Sequence, residues 1–127
     1  MISQLAAALI IYAGLAGAAG VALAAVGAHG NDLSALTPPA YLLLMHAAAA
    51  VAIVAVGERT AHPLAFLLAA FVILLGASLF GGAVTLRVLT GARLFPMAAP
   101  TGGTTMIIGW LILAAAGLWE LLGQRGQ

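Results

Sequence analysis

Residues 63–89 read PLAFLLAAFVILLGASLFGGAVTLRVL, and this stretch decides the fold. Arg87 is its one charged residue. A helix needs roughly 20 apolar residues to cross the hydrocarbon core of a bilayer. The stretch is longer than that requirement, so we expect a transmembrane helix that tilts or protrudes from the membrane.

Three further stretches have the same apolar character. By the length criterion of roughly 20 residues, we predict four spans, at about 2–28, 39–56, 63–89 and 100–122. Gly30 follows the first span, and we expect it to end that helix in the left-handed conformation. The breaks between spans are too short to fold as a soluble domain. The prediction is therefore a single domain over residues 1–127, all-α, an integral membrane four-helix transmembrane bundle with short loops.

The composition supports a lipid environment. The chain is 65% hydrophobic and 6% charged, whereas a water-soluble domain carries about 25% charged residues. The net charge of +1, without a single Lys, does not favour nucleic acid as a partner. The chain has no Cys, which excludes disulfides, thiolate metal sites and cysteine nucleophiles. The first span is longer than the apolar core of a cleaved signal peptide and lacks the basic start of one. We therefore expect this span to be retained.

An even number of spans places both termini and the middle loop on one side of the membrane. That side carries Arg59 and Arg125, and the other side carries Arg87 and Arg93. With the N-terminal amine added, the positive-inside rule favours termini in the cytoplasm. Trp119 and its neighbours at the end of the last span are typical of an interfacial anchor.

Small residues can hold such helices together, because in lipid close packing, rather than the hydrophobic effect, drives helix association. Six candidates for this role are Gly17, Gly20, Ala77, Gly81, Gly82 and Gly109. The alternative is chance, because a chain so rich in Ala and Gly produces small residues four positions apart without selection.

Four polar residues form the candidate site. His29 ends the first span, where a cation interacts favourably with the helix dipole, and Asp32 follows in the loop. His46 lies about two turns inside the second span, where an ionisable residue is costly and faces the bundle interior or a partner. Arg87 approaches the same side from the third span. We consider a polar pocket for a headgroup, a proton or a metal, and favour the alternative of a structural hydrogen-bond network.

The spacing of these residues matches no metal-binding motif, so we predict no metal site. The sequence contains no nucleophile elbow, paired intramembrane carboxylates or phosphate loop, so we expect no catalytic residues, no cofactor and no enzyme. The expected function is that of an accessory subunit or scaffold of a membrane complex. The alternatives are a small transporter or channel that uses His46 and Arg87, and a lipid- or quinone-binding protein that uses the outer His/Arg cluster. The expected partners are membrane lipid and either a second copy of the chain or a larger membrane complex.

Four segments carry a family resemblance. They are AAVGAHG at 24–30, YLLLMHAAAAVAI at 41–53, SLFGGAVTLRVLTGARL at 78–94 and APTGGTTMIIGWLILAAAG at 99–117. In this order they resemble the YgdD/YwdK-like family of small bacterial inner-membrane proteins, whose function is unknown. The resemblance implies four spans in the bacterial inner membrane with cytoplasmic termini, and it places His29 and His46 on motif positions. Leu42 stands where the family has a tyrosine, and Ala83, Val84 and Thr85 replace the Ser-Leu-Tyr of the family's third motif, which implies a less polar pocket.

Overall fold

The computed structural model describes residues 1–125. The chain forms four long helices, α1 (Gln4–His29), α2 (Thr37–Gly57), α3 (Pro63–Thr90) and α4 (Ala98–Arg125), with one 3₁₀ turn at Ser34–Leu36 before α2. Each of the four is long and apolar enough to cross a membrane. The predicted all-α fold with four spans is confirmed. The largest difference in a helix end is at α4, which was predicted to end at 122 and ends at Arg125.

The helices are arranged as an open bundle. Each helix packs against the next one in the chain, and α1 also meets α3 over a smaller area. Within the described residues, the backbone of α4 approaches α3 and neither of the other two helices. The fourth helix therefore lies along one side of α3 and does not close a ring with α1.

Glycines allow α3 and α4 to approach at backbone distance. A Cβ atom on Gly102 would lie 2.5 Å from the backbone nitrogen of Phe80, and one on Gly76 would lie 2.6 Å from that of Met106. Real Cβ atoms do not come so close to backbone atoms, so any larger residue at either position forces the helices apart. Close packing of this kind is the main attraction between helices in lipid.

Two carboxylates fasten the loops at the end of the bundle that carries the termini. Glu58 accepts hydrogen bonds from the backbone N–H of Ser3 at 2.8 Å and from its hydroxyl at 2.9 Å, which joins the end of α2 to the start of α1. Glu120 accepts from the backbone N–H of His62 at 2.8 Å and from its Nδ1 at 2.9 Å. The ring of His62 stacks on Trp119 with centroids 4.2 Å apart. The start of α3 is thereby joined to the end of α4.

The expected left-handed conformation at Gly30 is wrong. Gly30 is extended, with φ −87°, and its N–H donates to the carbonyl of Val26. The positive φ of this turn falls on Asp32, at 59°. Leu33 folds back so closely that a Cβ on Gly30 would lie 2.3 Å from its Cδ1 atom, so a larger residue there requires the Leu33 side chain to move. The left-handed glycine ending a helix is Gly91, with φ 72°, after α3.

Candidate functional site

The four residues of the predicted polar cluster occupy different parts of the molecule. His29 ends α1, is exposed, and its Nδ1 bonds the carbonyl oxygen of Ala25 at 2.8 Å. Asp32 lies in the exposed turn that follows. Arg87 lines a pocket near the α3–α4 loop. His46 is on α2, nine residues after Thr37, which is about 13 Å deeper along the helix axis. No hydrogen bond or ion pair joins these four side chains in the part of the chain that the structure describes.

His46 is a link between two helices. It is 8% exposed, its Nδ1 lies 2.6 Å from the carbonyl oxygen of Leu42, and its Nε2 lies 3.2 Å from the indole Nε1 of Trp110 on α4. An indole N–H can only donate, so Nε2 accepts and Nδ1 carries the proton that bonds Leu42. Both nitrogens of a neutral ring are engaged. The ring joins α2 to α4, and it makes no hydrogen bond to the other three residues of the predicted cluster within residues 1–125.

The usual metal-binding side chains do not cluster in the part of the chain that the structure describes. Within residues 1–125, no three His, Cys, Asp or Glu side chains are close enough together to hold an ion. His62, the third histidine, is engaged by Glu120 at the opposite end of the bundle from His29.

The six predicted packing residues meet different surroundings. A Cβ on Gly109 would lie 2.5 Å from Cγ1 of Ile73, in the α3–α4 contact, and one on Gly20 would lie 3.0 Å from the backbone nitrogen of Leu44, in the α1–α2 contact. The remaining four are less tightly placed: Gly17 has ordinary contact with Ala47, Gly81 has ordinary contact with Leu43, Ala77 is buried in the core, and Gly82 has open space.

Sequence reasoning missed Gly76, which faces Gly102 and Met106 across the same contact. A signal existed in its spacing, because Gly76 and Phe80 are four residues apart and so lie on one helix face. Because every face of α3 is apolar, the sequence did not indicate which face packs against α4.

A groove between α1 and α3, which we call the α1–α3 groove, is the largest cavity next to the predicted spans. It has a volume of about 700 Å³. The residues that define it are Tyr12, Leu15 and Leu23 of α1 and Ser78, Thr85 and Leu89 of α3. The hydroxyl of Tyr12 bonds Ser78 Oγ at 2.8 Å and the carbonyl of Leu74 at 3.2 Å, which ties the two helices together at one end of the groove. None of the lining residues is charged.

Thr85 places an unpaired hydroxyl in the wall of this groove. Its Oγ1 atom is buried and has no hydrogen-bond partner, the one such side-chain atom within residues 1–125. Four other helical threonines donate to the carbonyl four residues earlier: Thr90, Thr101, Thr104 and Thr105. Burying a hydroxyl without a partner costs about 1–3 kcal/mol.

The comparisons with known proteins identify a family and no activity. Residues 23–103 match the model of a family described as a protein of unknown function, DUF423. This region includes both histidines of the predicted site, Thr85 and Arg87. No curated protein and no solved structure matches the chain. The resemblance to a family of unknown function is confirmed, and because the match extends over more than half of its length, the chain belongs to the DUF423 family.

Proposed function

We propose that this protein is a non-enzymatic, multi-pass protein of the bacterial inner membrane that binds a neutral lipid-like molecule in the α1–α3 groove. The observation that carries the proposal is the buried, unpaired hydroxyl of Thr85, a residue that lines a groove without charged side chains. Native proteins leave few buried polar atoms without a partner, and each one calls for an explanation.

The groove selects the chemical class of the ligand. Its volume of about 700 Å³ falls within the roughly 300–1,000 Å³ of small-molecule sites. Tyr12 and Leu23, at its two ends on α1, are eleven positions apart, a rise of about 16 Å. An apolar chain fits such a shape, and the absence of charged residues among the lining favours an uncharged molecule. The carbonyl of a quinone or of a neutral ester lipid would accept a hydrogen bond from Thr85.

We propose this site, and not the two histidines of the outer cluster, as the place where the neutral ligand binds. His29 bonds its own helix, and both ring nitrogens of His46 are engaged. A ligand at His46 would have to displace an existing hydrogen bond, whereas a ligand at Thr85 supplies one that is missing.

The test compares bound molecules in matched variants. The protein is purified in mild detergent, and native mass spectrometry measures binding of ubiquinone and of a diacylglycerol. We expect one bound molecule on the wild type. Thr85→Val removes one hydrogen bond, about 1 kcal/mol, so binding weakens about fivefold. Thr105→Val, which alters a hydroxyl bonded within α4, is the control.

A second variant tests the location. Gly82 lines the groove and has open space around it, so Gly82→Leu fills the groove without disturbing a helix contact. Unchanged binding in Gly82→Leu, or in Thr85→Val, contradicts the proposal.

One observation supports a second role, as an accessory subunit or scaffold. In this role the protein would associate with another copy of the chain or with a larger membrane complex. Gly14 and Ala18 are exposed on α1, four residues apart, and so lie on one face. In lipid such a pair allows close approach of a further helix. Native mass spectrometry of the protein in lipid nanodiscs tests this role. A heteromeric or homomeric mass lost in Gly14→Leu supports it, and a monomeric mass contradicts it.

The proposal includes termini in the cytoplasm, which is supported by the distribution of positive charge. The chain has no natural cysteine, so a single introduced cysteine can show on which side of the membrane a loop lies. Arg59→Cys lies in the exposed α2–α3 turn and Ala92→Cys in the exposed α3–α4 loop. We expect a membrane-impermeant maleimide added to intact spheroplasts to label Ala92→Cys and not Arg59→Cys. The reverse pattern places the termini outside.

A further inference from the structure

A second pocket lies at the opposite face of α3 from the groove, where α3 ends and α4 begins. It has a volume of about 190 Å³, which is the room of about six water molecules at ~30 Å³ each. Two arginines line it, Arg87 from the last turn of α3 and Arg93 from the loop. Exposed Leu94, Phe95 and Met97 form its rim. We call it the α3–α4 loop pocket.

The charges of this pocket are not balanced within the protein. None of its lining residues is acidic. The ion pair that the structure shows within residues 1–125 joins His62 and Glu120, at the far end of α4. Two guanidinium groups around one cavity repel each other. An anion between them would be attracted to both and would outweigh that repulsion. The guanidinium group suits phosphate in particular, because its planar N–H fork can make two parallel bonds to phosphate oxygens.

The start of α4 adds to the positive potential. In its first turn, the N–H of Ala98 donates to the carbonyl of Phe95, and that of Thr101 donates to Met97. Pro100 has no N–H. The N–H of Ala99, which lines the pocket, has no such partner in the described part of the chain. The positive end of a 28-residue helix thus lies beside the two arginines.

The position of the pocket favours a lipid as the source of the phosphate. The 28 residues of α3 extend for about 42 Å, whereas the hydrocarbon core is about 30 Å thick. Arg87, three residues before the end of α3, therefore lies at headgroup level. The rim side chains are apolar and exposed, with Met97 at 69% and Leu94 at 51%. Such residues gain by insertion among acyl chains, next to the headgroups that the arginines would contact.

We propose that Arg87 and Arg93 bind the phosphate of a phospholipid headgroup in the α3–α4 loop pocket. This site is separate from the α1–α3 groove and does not depend on the function proposed for it. The arginines hold the phosphate, and Leu94, Phe95 and Met97 contact the adjoining lipid. The site fixes the depth of the loop in the membrane and retains one phospholipid on the protein.

The experiment titrates the full-length protein in mild detergent with three probes. They are phosphatidylglycerol, a diacylglycerol with the same acyl chains, and inorganic phosphate. Native mass spectrometry reports the number of bound molecules and their affinity. We expect one tightly held phosphatidylglycerol, and neither of the other probes at this site. In Arg87→Gln/Arg93→Gln, two charge-assisted contacts are lost, so affinity falls about tenfold or more.

Two further variants define the site. Arg87→Lys keeps the charge and removes the bidentate fork, so we expect an intermediate affinity. Arg59→Gln changes an exposed arginine at the other end of the bundle, and we expect wild-type affinity.

Three results overturn the proposal. Equal affinity in the double variant shows that the arginines do not hold the phospholipid. A diacylglycerol affinity that falls in Arg87→Gln/Arg93→Gln as much as the phosphatidylglycerol affinity does shows that the phosphate is not recognised. Equal binding of inorganic phosphate shows that the ligand is a free anion and not a lipid. Thr85→Val separates the two sites, since it is expected to leave phosphatidylglycerol binding unchanged whether or not the groove binds a ligand.

Discussion

The indole Nε1–H of Trp110 donates a hydrogen bond to Nε2 of His46 across 3.2 Å. The two rings meet edge to face, with centroids 6.1 Å apart. They connect α2 to α4, two helices whose backbones do not approach each other within the described residues. The bond is therefore a direct link between two helices that otherwise contact each other through α3.

Trp110→Phe removes the donor and leaves Nε2 of His46 buried without a partner. We expect a loss of about 1–2 kcal/mol in the free energy of unfolding, measured by denaturant titration in mixed micelles. Adding His46→Leu removes the orphaned acceptor as well. The double variant should therefore lose less than the sum of the two single losses. Strictly additive losses would show that the two rings do not interact.

Gly102→Ala should destabilise the α3–α4 contact, because the new Cβ would lie 2.5 Å from the backbone of Phe80. Separating two packed helices costs about 1–3 kcal/mol. The neighbouring Gly103 provides the control, since a Cβ there meets nothing within 4 Å. Gly103→Ala should be neutral or slightly stabilising, because Ala is the better helix former. Equal melting temperatures for the two variants would contradict the close approach of α3 and α4.

The number and length of the helices could be predicted from the sequence because the bilayer fixes both. Residues 63–89 are too apolar and too long for another environment, and α3 was observed at Pro63–Thr90. Which face of each helix is buried could not be predicted in the same way. In water a polar stripe marks the outer face, but in lipid the outer face is as apolar as the core. Hence Gly82 was selected for packing and has open space, whereas Gly76 was missed and faces Met106.

The candidate site shows the same limit. The depth of His46 in its helix indicates that it needs a partner, but only the packing of α4 shows that the partner is Trp110. His29 and His46 were expected to lie close together because His29 ends the helix before the first loop and His46 lies in the helix after it. The rise of α2 places His46 about 13 Å along the helix axis from Thr37, and no hydrogen bond joins the two histidines. The missing bond of Thr85 has no counterpart in the sequence, because threonine in a helix usually bonds the carbonyl four residues earlier.

Glu120→Gln should weaken the connection between α4 and the start of α3. The carboxylate accepts two bonds from His62 and a longer one, of 3.3 Å, from the N–H of Ala61. An amide has one oxygen in place of two, so it cannot accept all three. We expect a lower melting temperature than in Arg125→Gln, a charge change at the exposed end of the same helix. We also expect altered Trp fluorescence, because the stacking of His62 on Trp119 depends on this anchoring. Identical melting curves and spectra would show that the carboxylate does not hold the loop.

Thr85→Val distinguishes a site from a packing defect by the sign of its effect on stability. In protein stripped of lipid, the wild type carries the cost of a buried hydroxyl without a partner. Valine has nearly the same shape, so we expect the variant to be more stable by about 1 kcal/mol. When the ligand of the α1–α3 groove is added, the hydroxyl gains its partner, and the difference should shrink or reverse because binding stabilises the wild type more.

The measurement is the melting temperature of the stripped proteins with and without added ubiquinone or diacylglycerol. Thr105→Val should lose stability in both conditions, because its hydroxyl already bonds Thr101. A stability advantage of Thr85→Val over the wild type that is the same with and without added ligand would mean that the hydroxyl is an uncompensated defect. In that case the groove is filled by bulk lipid without selection. A reversal on addition of one of the two molecules identifies its class as the ligand.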